Sequence, residues 1–117
     1  MSKHISLKSA RLIEKHRYAL KKLATSNAKD RKTILMNSPK ELFKVLLIIF
    51  KMLNKEKLSL NNKQKSKLLP HKKMIRSSSE LNSVAIKSKL SRQRGGALPA
   101  ILSAILPILG SLVKAVL

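Results

Sequence analysis

The stretch PKELFKVLLIIFKMLN, residues 39–54, constrains the fold most. On a helix its apolar side chains cover most of the circumference. Phe43, Leu46, Leu47, Phe50 and Leu53 form one face, and Leu42, Val45, Ile49 and Met52 form another. A helix apolar on nearly all sides has to be surrounded, so this one is expected to be the central member of a bundle. Lys44 and Lys51 interrupt the apolar run, which is also too short to cross a bilayer. A chain of 117 residues has room around such a helix for one small domain and a tail.

The residues just before it, SPKE, carry a helix-start signal: Ser38 as cap, Pro39 at the first position and Glu41 three residues after the cap. Ser and Glu side chains so placed satisfy amide donors that the first turn leaves orphaned. Upstream, residues 6–24 read as one helix, with Leu12, Ile13, Leu20, Leu23 and Ala24 inward, and Ala28–Asn37 as a shorter one. Downstream the pattern weakens. A helix is expected from Ser59 or Leu60 to Leu69, burying Leu60, Leu68 and Leu69, with Pro70 ending or bending it. Ser77, Ser78 and Ser79 read as a linker, and residues 80–93 as a last short helix using Val84, Ile86 and Leu90. No segment reads as a strand.

Charge points to the partner. The chain has 26 Lys and Arg against 5 Asp and Glu, a formal net charge of +21. Such an excess repels itself and seeks polyanions, whether nucleic acid, anionic lipid or acidic protein. Some twenty surplus charges match the phosphates of about ten base pairs. The cations expected on phosphate are Lys8, Arg11, Lys15, Arg17, Lys21 and Lys22 in the first segment and Lys29, Arg31 and Lys32 in the second. Lys63, Lys65, Lys67, Lys72, Lys73 and Arg76 extend the set downstream. Tyr18, Phe43 and Phe50 are too few to stack on single-stranded bases, and both Phe belong to the core. With no zinc-finger pattern and no clear recognition helix, sequence-indifferent backbone binding to double-stranded DNA is the expected mode.

No chemistry is written into the chain. His4, His16 and His71 are scattered, with only Glu14 near His16, and the acids form no carboxylate pair. Serines lack the glycine flanks of a nucleophile elbow or a phosphate loop. There is no Cys, hence no disulfide or thiolate site. No catalytic residue, cofactor or metal is expected. Lys3, Lys8 and Arg11 interrupt what would be the apolar core of a secretory leader.

Past Gly95-Gly96 the chain changes character, and Lys114 is the one charge after residue 96. Ser103, Pro107, Gly110, Ser111 and Lys114 form a narrow stripe. Leu98, Ile101, Leu102, Ile105, Ile108, Leu109, Leu112 and Val113 cover the remaining surface. With Pro99 near its start and Pro107 in its middle, the segment makes a poor spanning helix. It suits a membrane interface or a hydrophobic groove on a partner protein. Folding back on the helical domain is the alternative, less expected because residues 6–54 already provide a core.

The junction Gln93-Arg94-Gly95-Gly96-Ala97 resembles the cleavage pattern of adenovirus-type maturation proteases, in which paired glycines let an extended backbone enter a narrow cleft. Gly95-Gly96 as a helix end and hinge is the competing reading. A very basic segment, a Gly-Gly junction and a short proline-containing apolar tail together resemble the precursors of the adenovirus core protein Mu (protein X) family. The layout is also similar to small basic proteins of adintoviruses and Maverick/polinton elements, including KDRKTIL followed by SPKELFK. The resemblance implies a virion component that condenses double-stranded DNA, works in the host nucleus during assembly and is cut by a viral maturation protease at Gly96–Ala97. It departs from that family in being Lys-rich and in carrying a helical domain before the junction.

The expectation is therefore an all-α protein in three parts. Residues 1–54 form a small helical bundle, 55–96 a flexible basic segment, part helical and part linker, with the Gly-Gly junction, and 97–117 a separate apolar helix. Its expected partner is DNA, with a membrane or capsid protein as the alternative for the tail.

Overall fold

The computed structural model describes residues 5–93 and 96–117. Its described residues form helices and no strand, so the all-α class holds. The elements are α1 (Leu7–Lys15), α2 (Arg17–Thr25), α3 (Ala28–Asn37), α4 (Lys40–Asn54), α5 (Asn62–Leu68), α6 (Lys72–Ser79), α7 (Ser83–Arg92) and α8 (Ala97–Val116). A 3₁₀ turn at Leu69–His71, containing Pro70, joins α5 to α6.

The first expected helix is two. His16, at φ −106° and ψ 13°, ends α1, and its amide is shared between the Leu12 and Ile13 carbonyls at 3.2 Å each. The break lets α1 lie against α4 and α8 while α2 lies against α8 and α3. Ser6 starts α1 and Asn27 starts α3, each side chain accepting from the amide three residues on. Such caps hold donors the first turn cannot pair internally.

The capping box expected at SPKE does not form. Pro39 is the residue before α4, and the Ser38 hydroxyl donates instead to the Ile34 carbonyl of α3. Only Ser38 and Pro39 separate the two helices, so one serine had two helix ends within reach and serves the earlier one. Glu41, freed from capping, pairs with Lys15 at 3.2 Å and ties α4 to α1. A box does form at α5, where the Asn61 side chain accepts from the Gln64 amide and the Gln64 side chain from the Asn61 amide, at 2.8 and 2.9 Å. Helix α4 stops in a left-handed turn. The Lys57 and Glu56 amides reach back to the Met52 and Leu53 carbonyls, with Glu56 at φ 55°. This is the bonding of a Schellman motif, with Glu where Gly is usual.

Helix α4 is central, as its sequence requires. Phe43 and Phe50 are fully buried together with Leu42, Val45, Leu46 and Ile49. Three expectations change. Ser77–Ser79 is the end of α6 and not a linker; Ser78 and Ser79 are buried because α6 packs closely on α4. Leu69 and Val84, read as inward, are exposed, since the residues that face the core are Leu68, Ile75, Ile86 and Leu90. Residues 55–93 hold the helices expected there and, instead of forming a loose extension, join the core through Leu68, Ile75, Ile86 and Leu90.

The tail also differs from a separate helix. Helix α8 packs most extensively on α2, and further on α5 and α1. Leu98, Ile101, Leu102, Ile105, Leu109 and Val113 belong to the same core as α4. The radius of gyration is 13.2 Å, matching the roughly 13 Å expected when a chain of this length folds as one body. Residues 6–54 supply part of a core whose other wall is α8. Two polar contacts fix its register: the Ser103 hydroxyl donates to the Ala24 carbonyl at 3.2 Å, and the Gln64 side-chain amide to the Ala104 carbonyl at 3.3 Å.

Candidate nucleic-acid interface

The cations sit where the apolar periodicity leaves them, on the outer sides of helices whose inner sides are spoken for. On α1 and α2, Lys8, Arg11, Lys15, Arg17, Lys21 and Lys22 are all exposed. Two of these already have acidic neighbours: Lys15 with Glu41, and Arg17 with Glu14 at 3.7 Å. Both pairs are open to water and hold their partners weakly. Lys22 lies 4.7 Å from the Tyr18 ring centroid, and that ring is itself exposed. On α3, Lys29 and Lys32 are exposed.

Arg31 does not belong with them. It is 3% exposed, on the inner side of α3 with Leu35, and cannot meet a phosphate there. The helical repeat alone separates it from Lys29 and Lys32: three neighbouring cations in sequence cannot all share one helix face.

From α5 to α6, Lys63, Lys65, Lys67, Lys72, Lys73 and Arg76 are exposed. Further cations outside the expected set reach the surface. Lys40, Lys44 and Lys51 form the solvent stripe of α4; Lys55 and Lys57 follow it, and Arg92 ends α7. The signal was present for Lys40, Lys44, Lys51 and Arg92, since each falls off the apolar face of its helix. Lys89 is different: half-buried, it donates to the Ser77 hydroxyl at 2.7 Å, and partial burial pulls its pKa below the usual lysine value.

The tail residues assigned to a membrane or partner are mostly covered by the protein itself. Leu98, Ile101, Leu102, Ile105, Leu109 and Val113 are buried, while Ile108 and Leu112 are half-buried. The outer side is the stripe read from sequence, with Ser103, Pro107, Ser111 and Lys114 exposed. At 20 residues, with mean hydropathy 1.9 over its best window, α8 is long and apolar enough to cross a membrane. This exceeds what the charge-free residues alone implied, because the helix continues through Pro107 and Lys114 to Val116.

At the junction, Arg94 and Gly95 lie outside the described residues. Gly96 is exposed, and its carbonyl accepts from the Ala100 amide at 3.0 Å, so Gly96–Ala97 is the first bond of α8. Gln93 is half-buried, with its side-chain oxygen unpartnered among the described residues. Also among the described residues, no three His, Cys, Asp or Glu side chains converge on a metal-sized site. Comparison of the chain with protein-family models, with curated proteins and with solved structures finds no match.

Proposed function

We propose that this is a non-enzymatic protein that binds and condenses double-stranded DNA without sequence specificity. The resemblance of its layout to virion core-protein precursors supports a role as a virion component acting in the host nucleus during assembly and matured at Gly96–Ala97. The observation that carries the reading is the distribution of charge. With +21 on 117 residues, exposed cations line the outer surfaces of α1 through α7. A duplex that neutralises such a surface releases condensed counterions, which gives affinity without base readout. Lysine suits this role as a point charge on a flexible stem, and it gives none of the planar, bidentate recognition of arginine.

The test is fluorescence anisotropy of the full chain with several unrelated duplexes. Similar affinities are expected, falling about 10³-fold or more between ~50 and ~200 mM salt. Binding confined to one sequence, or indifferent to salt, would overturn the proposal.

A second reading is favoured by the length and hydropathy of α8: membrane or capsid-protein contact through the tail, with the basic surface drawn to anionic lipid. It requires the core side of α8 to be exposed by leaving α1, α2 and α5. Leakage of anionic vesicles by the full chain, absent from neutral vesicles, would support it.

A further inference from the structure

Helices α3 and α7 pack side by side, and an open groove of ≈ 1000 Å³ runs between their outer edges. Its α3 wall carries Lys29, Lys32 and Met36, spaced i, i+3, i+7 along one helix face. The α7 wall carries Val84, Lys87 and Ser91 at the same spacing, with Arg92 next to Ser91. Two basic stripes thus face each other over about 10 Å of helix length. None of the groove's lining residues is acidic.

Chemistry within the groove is of two kinds. Lys29, Lys32 and Arg92 are exposed, and the half-buried Lys87 has its ammonium 5.5 Å from the ring centroid of the buried Phe43. Beside these cations, Met36 and Val84 are 58% and 72% exposed, although large apolar side chains elsewhere in α3 and α7 turn inward. The Ser91 hydroxyl is buried, with no hydrogen-bond partner among the described residues. An extended ligand that alternates anionic and apolar surface matches this lining. A phosphodiester strand is such a ligand, because each phosphate is followed by the apolar edge of a sugar.

We propose that the α3–α7 groove seats one phosphodiester strand of the bound nucleic acid. Lys29, Lys32, Lys87 and Arg92 neutralise its phosphates, and Met36 and Val84 lie against its sugars. The proposal rests on the DNA-binding reading above and assigns it a place on the molecule. It distinguishes this groove from the depression bounded by α4, α5 and α6, whose lining includes the acidic Glu56.

The test compares variants of the full chain, each checked for native helicity by circular dichroism. Lys32→Ala with Arg92→Ala removes one exposed cation from each wall; Lys51→Ala with Lys55→Ala removes the same charge from the far end of α4. The groove pair is expected to lose at least about tenfold in duplex affinity near 100 mM salt and to flatten the salt slope by about 2. The α4 pair is expected to lose less than about threefold, since it changes only the general field. Met36→Ser with Val84→Ser should weaken duplex binding while leaving inorganic polyphosphate, which has no sugar, unaffected. Equal losses from the two charge pairs would overturn the groove while leaving DNA binding standing. An unmodified chain that binds no duplex would overturn both. Equal effects of the Met36/Val84 change on duplex and polyphosphate would overturn the sugar contact.

Discussion

Helices α4 and α8 are both apolar around most of their circumference, and they meet water in different ways. Helix α4 shows solvent a stripe of lysines, Lys40, Lys44 and Lys51, and buries nearly everything else. Glu41 near its start pairs weakly with Lys15 of α1, and its end closes in the turn at Glu56. Helix α8 shows Ser103, Pro107 and Ser111, with Lys114 alone charged, and about a third of its most apolar window is buried. Rotating α4 would bury ammonium groups at a cost of several kcal/mol each, so its orientation is written into its own sequence. Rotating α8 would bury two hydroxyls, a proline and a single ammonium, that of Lys114 in its last turn. Its seat therefore depends on the neighbours that cover it, α1, α2 and α5. Apolarity dictates that a helix is buried; charged residues dictate which way round.

The strongest way to break this comparison is to delete one large core side chain from each helix. Phe50→Ala should cost about 3–5 kcal/mol and Ile101→Ala about 2–5 kcal/mol. Because both belong to one cluster, each should lower the midpoint of a single cooperative urea transition followed by circular dichroism. A second transition moved by Ile101→Ala and untouched by Phe50→Ala would make α8 an independent unit. Tyr18→Ala, at a ring 72% exposed, should cost no more than about 0.5 kcal/mol and serves as the surface reference.

Pro107 sharpens the contrast at the next level. It lies inside α8, removes one backbone donor and faces solvent, so it contributes no packing to offset that loss. Pro107→Ala should raise stability by about 1–3 kcal/mol in the same urea experiment. No gain would mean that Pro107 is itself needed to fit α8 against α2 and α5.

A smaller effect than that at Pro107 is expected at the end of α4. Glu56 adopts φ 55° where a residue without a side chain is favoured. Glu56→Gly should stabilise by about 0.5–1 kcal/mol, seen as a higher midpoint of thermal unfolding. A loss would show that the Glu56 side chain contributes more than its backbone strain costs.

Much of the fold was legible because its signals are short-range. The bounds of α3, the central burial of Phe43 and Phe50 and the polar stripe of α8 all follow from periodicity over a few turns. The same logic put Lys8, Arg11, Lys21 and Lys29 on the surface, and it could have excluded Arg31, which shares its side of α3 with Leu35. The errors fall where two local solutions were possible. SPKE has the composition of a capping box, but Ser38 is equally close to the end of α3. Three successive serines read as a linker, yet small residues are also what lets α6 approach α4 closely. The groove between α3 and α7 had no signature in either helix alone, since each stripe is an ordinary basic face until the other is set beside it.

By itself the sequence determined that this chain is helical, that α4 lies inside, that the excess of charge lies outside, and which side of α8 is polar. Each of these follows from residues within a few turns of one another, where propensity, capping and the helical repeat act without reference to the rest of the chain. Only the tertiary structure decided that α8 closes the core instead of standing apart, that His16 breaks the first helix so both halves can reach it, and that Lys32 and Arg92 share a groove. Those outcomes depend on which apolar faces meet. Burial of apolar area is non-directional, so the choice among faces belongs to the packing of the whole molecule.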